Sequence, residues 1–328
     1  MILAGDIGGT KVNLALFDVS AGRLVLRATG TFASQRYASL EQLALEFSAA
    51  HKLPVTHAAF GVAGPVKHGR AQLTNVNWTV DATSLSSSLQ ATVWLLNDLE
   101  ATAYGIAALE PQDFVVLNAG EPGATGNAAV IAAGTGLGEA GLFWDGQRHV
   151  PWACEGGHAE FAPRTDLDIE LLKYLRARFG RVSWERVLSG PGLFNIYSFL
   201  KDTRRADEPA WLAEELSRGD PPAVISQAAL ACRAEICMKA LDLFVAYYGA
   251  EASNLALKAM ATAGVYIGGG IAPKVIAKLR DGPFMSAFTF GGRLTSLLEA
   301  IPVKVIMNEK TALLGAARFA ALRAGLMK

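Results

Sequence analysis

Three strand-like runs open the chain, Ile2–Asp6, Val12–Phe17 and Leu24–Thr31, with Ala21-Gly22 turning the second into the third, and the middle one alternates. Side chains that point to alternate faces of a half-buried strand produce this period of two. From Ser39 to Ala50 the spacing becomes helical, and Leu40, Leu43, Leu45 and Phe47 form one broad apolar face. Ala58–Val62 is a short buried strand leading into Ala63-Gly64-Pro65-Val66. After Asn75-Val76-Asn77-Trp78 the pattern predicts a helix over Asp81–Leu89, a fully apolar strand over Thr92–Leu96, and a helix from Asn97-Asp98 to Leu109. Strand, strand, strand, helix, strand is not the simple βαβαβ alternation of a dinucleotide-binding domain, and no GxGxxG opens a helix.

A second set of strands begins at Phe114–Leu117 and continues with Ala128–Ala132 and Gly141–Trp144, the last two joined by Gly134-Thr135-Gly136-Leu137-Gly138-Glu139. The order repeats the opening scheme of apolar strand, Gly/Thr-rich turn and strand, as a duplicated fold would. From Asp166 the pattern turns helical over Leu167–Phe179, Gly192–Leu200 and Pro209–Arg218, and a long helix is expected from Asp220 to Ala261. Val265–Gly268 returns to strand, Gly268-Gly269-Gly270 turns into a helix from Lys274, and Val303–Met307 and Thr311–Leu326 are a last strand and helix.

Composition narrows the class. The chain has 328 residues, about two domains by the usual length prior, and half of them are hydrophobic, so a sizeable core is available. Thirty basic residues balance thirty acidic ones, which gives no support to nucleic-acid or polybasic membrane binding and favours small polar partners. Cys154, Cys232 and Cys237 show no zinc-box spacing. They read as reduced, mostly buried thiols, Cys232 and Cys237 on one helix. The first residues enter a strand at once, without a basic stretch followed by an apolar one, and the expected compartment is the cytoplasm.

Six short stretches carry candidate chemistry. Asp6-Ile7-Gly8-Gly9-Thr10-Lys11 offers backbone N–H groups, a hydroxyl and an ammonium at one hairpin tip, with a carboxylate that could orient a hydrated magnesium ion. A plain hairpin turn is the alternative. Asn97-Asp98 closes an apolar strand, where a carboxylate can take the proton of an attacking hydroxyl and an amide can hold a second one. The same pair could simply cap the next helix. Gly134-Thr135-Gly136 is a second phosphate-type loop, or an ordinary glycine turn. In Glu155-Gly156-Gly157-His158 a carboxylate and an imidazole flank two glycines, which suits adjacent sugar hydroxyls better than a metal, for want of further ligands nearby. Glu185 precedes the sharp turn Ser189-Gly190-Pro191-Gly192 and would otherwise be a solvated helix residue, and Gly268-Gly269-Gly270 lets a flat ligand lie on bare backbone.

Taken in order over the whole chain, these stretches resemble the bacterial glucokinase family of the hexokinase-like, ATP-dependent type. Phe161-Ala162-Pro163 and Glu185-Arg186-Val187-Leu188-Ser189-Gly190-Pro191-Gly192 strengthen the likeness. The resemblance implies the α/β actin/hexokinase/Hsp70-like (ribonuclease H-like) fold, two duplicated domains around a central cleft. Residues 1–110 plus 309–328 would form the smaller domain and 111–308 the larger. It implies Asp98 as the base on the sugar 6-hydroxyl, with Asn97, Glu155, His158 and Glu185 on the other hydroxyls. Asp6 would position Mg2+ through water, and Gly8, Gly9, Thr10 and Lys11 would line the γ-phosphate path. Gly134 and Thr135 would hold other phosphate oxygens, and Gly268, Gly269 and Gly270 would lie near the adenosine of ATP. A homodimer at the entry to glycolysis is the family's habit. The ROK sugar kinases share the opening motif, but the chain lacks their cysteine-rich zinc motif. A kinase for another hexose and a non-catalytic sugar sensor are the alternatives, and ADP or polyphosphate users share such phosphate loops.

Overall fold

The computed structural model describes residues 1–73 and 76–327; Asn75 of the expected loop and Lys328 of the expected C-terminal segment lie outside the described residues. In chain order the elements are β1 (Ile2–Ile7), β2 (Lys11–Ser20), β3 (Arg23–Ala33), α1 (Leu40–His51), β4 (His57–Val62), β5 (Arg70–Leu73), β6 (Trp78–Asp81), α2 (Ala82–Leu89), β7 (Thr92–Asn97) and α3 (Asp98–Ile106). There follow β8 (Phe114–Asn118), β9 (Ala128–Ala133), β10 (Leu137–Trp144), β11 (His149–Cys154), α4 (Asp166–Phe179), α5 (Gly190–Asp202), α6 (Ala210–Arg218), α7 (Pro221–Leu230) and α8 (Glu235–Ala259). The chain closes with β12 (Gly264–Gly268), α9 (Ile276–Leu279), α10 (Pro283–Phe288), α11 (Thr295–Ala300), β13 (Val303–Ile306) and α12 (Thr311–Arg323). It divides into two compact units, Met1–Pro111 with Pro151–Ala153 and Asn308–Lys328, and Gln112–Val150 with Cys154–Met307.

The first unit holds a five-stranded sheet of order β3-β2-β1-β4-β7. β2 runs antiparallel to both β1 and β3, while β1, β4 and β7 are parallel. The alternation expected for β1 and β2 sends Leu3, Ile7, Val12 and Leu14 to one face and Ile2, Ala4, Ala15 and Phe17 to the other. The first face is covered by Leu40, Leu43 and Phe47 of α1 and Leu85 of α2, the second by Leu313, Ala316, Ala317 and Ala320 of α12. Ser39 starts α1 by accepting the N–H of Gln42, and Asp81 starts α2 by accepting those of Thr83 and Ser84.

The second unit repeats this order at one end of a six-stranded sheet, β11-β10-β9-β12-β13-β8. β9 is antiparallel to β10 and parallel to β12, which is parallel to β13; β8 is an added strand antiparallel to β13. Its core takes Ile131, Val265 and Ile267 from the strands and Leu193, Ile196, Ile236, Phe244 and Tyr248 from α5 and α8.

Four expectations need correction. The long helix is two, because the chain leaves α7 at Cys232, whose φ of +52° is left-handed, and the N–H of Arg233 folds back on the Ala228 carbonyl. Cys232 is therefore exposed in that break and shares no helix with buried Cys237, while Cys154 is half-buried. The turn after β9 is shorter than expected, since Leu137-Gly138-Glu139 already belong to β10. A helix does not begin at Lys274: a 3-10 turn at Ala272–Val275 precedes the single turn of α9. The four-residue strands β5 and β6 escaped the pattern by their brevity. β11 escaped it because an edge strand can hold Pro151 and leave Val150 and Trp152 exposed.

Candidate active site

In the first unit the parallel register Ile7↔Val62↔Asn97 ends β1, β4 and β7 at one sheet edge. Loops at the carboxyl ends of parallel strands are where such sheets bind ligands. The Asp6–Lys11 turn, Gly64 and Asn97-Asp98 all lie on that edge. The turn is closed by Gly8 N–H on the Lys11 carbonyl at 3.0 Å, and its back is held by buried Ser34, whose hydroxyl donates to Gly8 O and whose N–H donates to Thr10 O. Gly9 is half-buried, while Thr10 and Lys11 are exposed at the tip.

Asp6 accepts one hydrogen bond from the Asn13 amide at 3.2 Å, and Asn13 is fixed in turn by the Thr31 hydroxyl at 2.9 Å. Burial raises the Asp6 carboxyl above its ordinary range, opposed by Asn13 and the charge of Lys11. A carboxyl in that state gains from a nearby cation. Among the described residues no group of three or more His, Cys, Asp or Glu could cage a metal. The donor set fits Mg2+ that keeps its waters and takes one carboxylate plus substrate phosphates.

The capping role at α3 belongs to Asn97, whose Oδ1 accepts the N–H of Leu99 at 2.8 Å and whose Nδ2 donates to Gly64 O at 3.1 Å. One of its two amide hydrogens is left for a ligand. With the cap supplied by Asn97, Asp98 sits in the first helical turn, half-exposed, one oxygen accepting the N–H of Leu99 at 2.9 Å.

In the second unit four of the expected pieces converge on the start of β10. Gly134 N–H closes on Gly136 O at 2.8 Å, and Gly134 O accepts the N–H of Gly190 at the head of α5. Thr135 is exposed at the tip. Glu185, in a 3-10 turn at Trp184–Arg186, accepts the N–H of Leu137 at 3.1 Å, and a side chain on Gly136 would meet its carboxylate at 2.6 Å. Glu155 and His158 are both exposed, at the two ends of a 3-10 turn. The two glycines between them lie flat on β10: a Cβ on Gly157 would run into the Leu137 carbonyl, and one on Gly156 into the Glu139 carboxylate. That contact, not turn flexibility, is why the motif needs glycine twice. His158 O is held by Arg181 at 2.7 Å.

The triple glycine follows β12. Gly269 has φ +82° and packs so closely on the Ala133 carbonyl that no side chain fits, while Gly270 faces open space. Sequence reasoning missed the residue that joins this turn to the phosphate-type loop. The buried Tyr248 hydroxyl accepts the N–H of Ala133 and donates to the Gly268 carbonyl, both at 3.0 Å. A tyrosine inside an apolar helix gives no such signal. Tyr248→Phe leaves two buried backbone groups unpaired, and a loss of about 1–3 kcal/mol in urea unfolding is expected; an unchanged midpoint would discard this tie. Ser34 and Glu139 were missed because their partners lie far along the chain, and Asn13 because only the β1–β2 pairing sets it opposite Asp6. His149 donates its Nε2–H to Gly126 O at 2.9 Å and leans on Trp144.

Two sheets of one strand order, each ending in a glycine turn, define the actin/hexokinase-like class of α/β folds, and the comparisons narrow this. The Glucokinase family model matches residues 3–323, so the chain belongs to the glucokinase family. It is 39% identical to a glucokinase of Nostoc punctiforme over 98% of this chain and 99% of that one. It resembles the crystal structure of a glucokinase from an Antarctic psychrotroph with a TM-score of 0.85 and 31% identity, covering 98% of each chain. A ROK family glucokinase from Streptomyces griseus, solved with glucose and AMPPNP, shares the fold at a TM-score of 0.63 and 22% identity, over 98% of this chain and 99% of that one. No helix among the described residues is long and apolar enough to cross a membrane.

Proposed function

We propose that this chain transfers the γ-phosphoryl group of ATP to the 6-hydroxyl of D-glucose, giving glucose 6-phosphate and ADP. The observation that carries the reading is the placing of Asp98 beside a phosphate-type turn on one edge of the first sheet, in a chain of the glucokinase family. Asp98 takes the proton of the sugar 6-hydroxyl as that oxygen attacks the γ-phosphorus, and ADP leaves with the pair of electrons of the broken P–O bond. Such a step asks mainly for positioning and charge stabilisation. Asn97, through its remaining amide hydrogen, and Glu155, His158 and Glu185 hold the other hydroxyls.

Gly8, Gly9, Thr10 and Lys11 receive the γ-phosphate, Gly134 and Thr135 the remaining phosphate oxygens, and the open backbone of Gly268, Gly269 and Gly270 the adenosine. Mg2+, held through water by Asp6, supplies positive charge to the phosphate oxygens when bound. The test is a coupled assay for ADP over a panel of hexoses and donors. Glucose with ATP is expected to give the highest kcat/KM. Preference for mannose, fructose or an N-acetylhexosamine would replace the substrate, and no hexose-dependent turnover with any donor would overturn the kinase reading.

A further inference from the structure

Behind the Glu155–His158 turn lies a pair of carboxyl groups that the proposed reaction does not use. Glu139 of β10 is 2% exposed and Glu251 of α8 is wholly buried. Glu251 Oε2 accepts from the Asn254 amide at 2.7 Å, while its Oε1 has the Lys258 ammonium at 3.7 Å, beyond hydrogen-bond distance. Glu139 Oε1 and Glu251 Oε1 find no donor among the described residues. The two carboxyl groups are, however, within hydrogen-bonding reach of each other. One proton between them supplies the donor the pair lacks, and two bare charges in that interior would be costly.

The proton belongs on Glu139. Burial, and then the charge of Glu251, push its carboxyl up to about 8, so it is held protonated at neutral pH. Burial raises Glu251 too, but Asn254 and Lys258 favour its ionised form. The groups facing Glu139 are Glu251, Lys258 and Tyr248 from α8 and Cys154 from the end of β11, with Glu155 next in the chain. Cys154 also donates its thiol to the Glu139 carbonyl at 3.5 Å. The other carboxyl oxygen of Glu139 occupies the space in which a Gly156 side chain would begin. The pair thus forms the floor on which the turn rests.

We propose that Glu139 is a positioning residue: the proton it shares with Glu251 holds the Glu155-Gly156-Gly157-His158 turn in its sugar-binding shape, and loss of that proton loosens the turn and weakens sugar binding. The inference rests on the sugar contacts proposed for Glu155 and His158. Its test compares the parent chain with Glu139→Gln, which keeps a hydrogen bond to Glu251 and cannot ionise. KM for glucose and for ATP are measured against pH, with hydrogen exchange of the Gly156, Gly157 and His158 amides corrected for the intrinsic rate.

In the parent, KM for glucose rises about tenfold, the equivalent of one unit of linkage, as pH passes through the titration of the pair. KM for ATP stays level and exchange at the turn quickens. Glu139→Gln flattens both the KM and the exchange profiles. The same alkaline limb in Glu139→Gln, or parental exchange that ignores pH, overturns the proposal. Glu251→Gln is the second variant should Glu139→Gln fail to fold: Glu139 can still ionise there but has lost the neighbouring charge that helps to keep it protonated, so both profiles shift to lower pH, and profiles unmoved from the parental ones overturn the proposal. Exchange needs neither sugar nor turnover, so a chain that phosphorylates no hexose defeats the proposed function while the turn measurement still decides the role of Glu139.

Discussion

Asp98→Asn lowers kcat for glucose phosphorylation by about 10²–10⁴-fold, the contribution of a well-placed general base, while glucose still binds. The reasoning is local. Asn97 already caps α3, so Asp98 is not needed to start the helix, and an asparagine there keeps an oxygen for the Leu99 N–H. What the substitution removes is the ability to accept a proton from the attacking hydroxyl. Glucose titrated calorimetrically against the variant should give a Kd near the parental one, with turnover almost gone. Parental kcat in Asp98→Asn would remove the base from Asp98. Loss of binding along with turnover would make Asp98 a holder of the sugar instead.

Gly315→Ala damages the first unit through its backbone. A Cβ at Gly315 of α12 would run into the Ala101 carbonyl of α3, and one at Gly105 of α3 would run into the Thr311 carbonyl of α12. The two helices therefore cross with main chain against main chain, an approach that glycine permits because it has no Cβ. Ala at position 315 forces them apart, at about 1–3 kcal/mol as for other overpacked cores, and at the upper end here because the obstacle is a carbonyl and not a pliable side chain. Because Asp98 stands in the first turn of α3, a displacement near 1 Å would also cost turnover, by about 10²-fold. Urea unfolding and kcat measured on the same preparation check both parts. A variant with the parental midpoint would mean the crossing is looser than drawn.

How much of this was legible in the sequence depends on where each residue finds its partners. Most strands of both sheets, though not β11, showed themselves because apolar patterning is a local property, alternating in Val12–Phe17 and a continuous apolar run in Ala128–Ala132. Turns with glycine after apolar strands were equally plain, and they carry the resemblance to the family, which the family model and the Nostoc relative bear out. The break at Cys232 was hidden, since Ala228–Ala234 holds neither glycine nor proline and the left-handed residue is one with a side chain. Asn97 and Asp98 could be named but not sorted, because cap and base differ only in which oxygen meets which N–H. Glu139 looked like one more residue of a loop. Its meaning comes from Glu251, more than a hundred positions on, and from Gly156.

The packing of α12 against α3 and the first sheet also sets an order of events during synthesis. β1 leaves the ribosome first, yet one face of its sheet stays uncovered until Leu313, Ala316, Ala317 and Ala320 have been made. The second unit, Gln112–Val150 with Cys154–Met307, is nearly all translated before then. Domains generally fold as units while the chain emerges, and apolar surface left waiting is prone to aggregate. The unit begun first is the one completed last, and a nascent chain halted before Thr311 should be the species that chaperones hold.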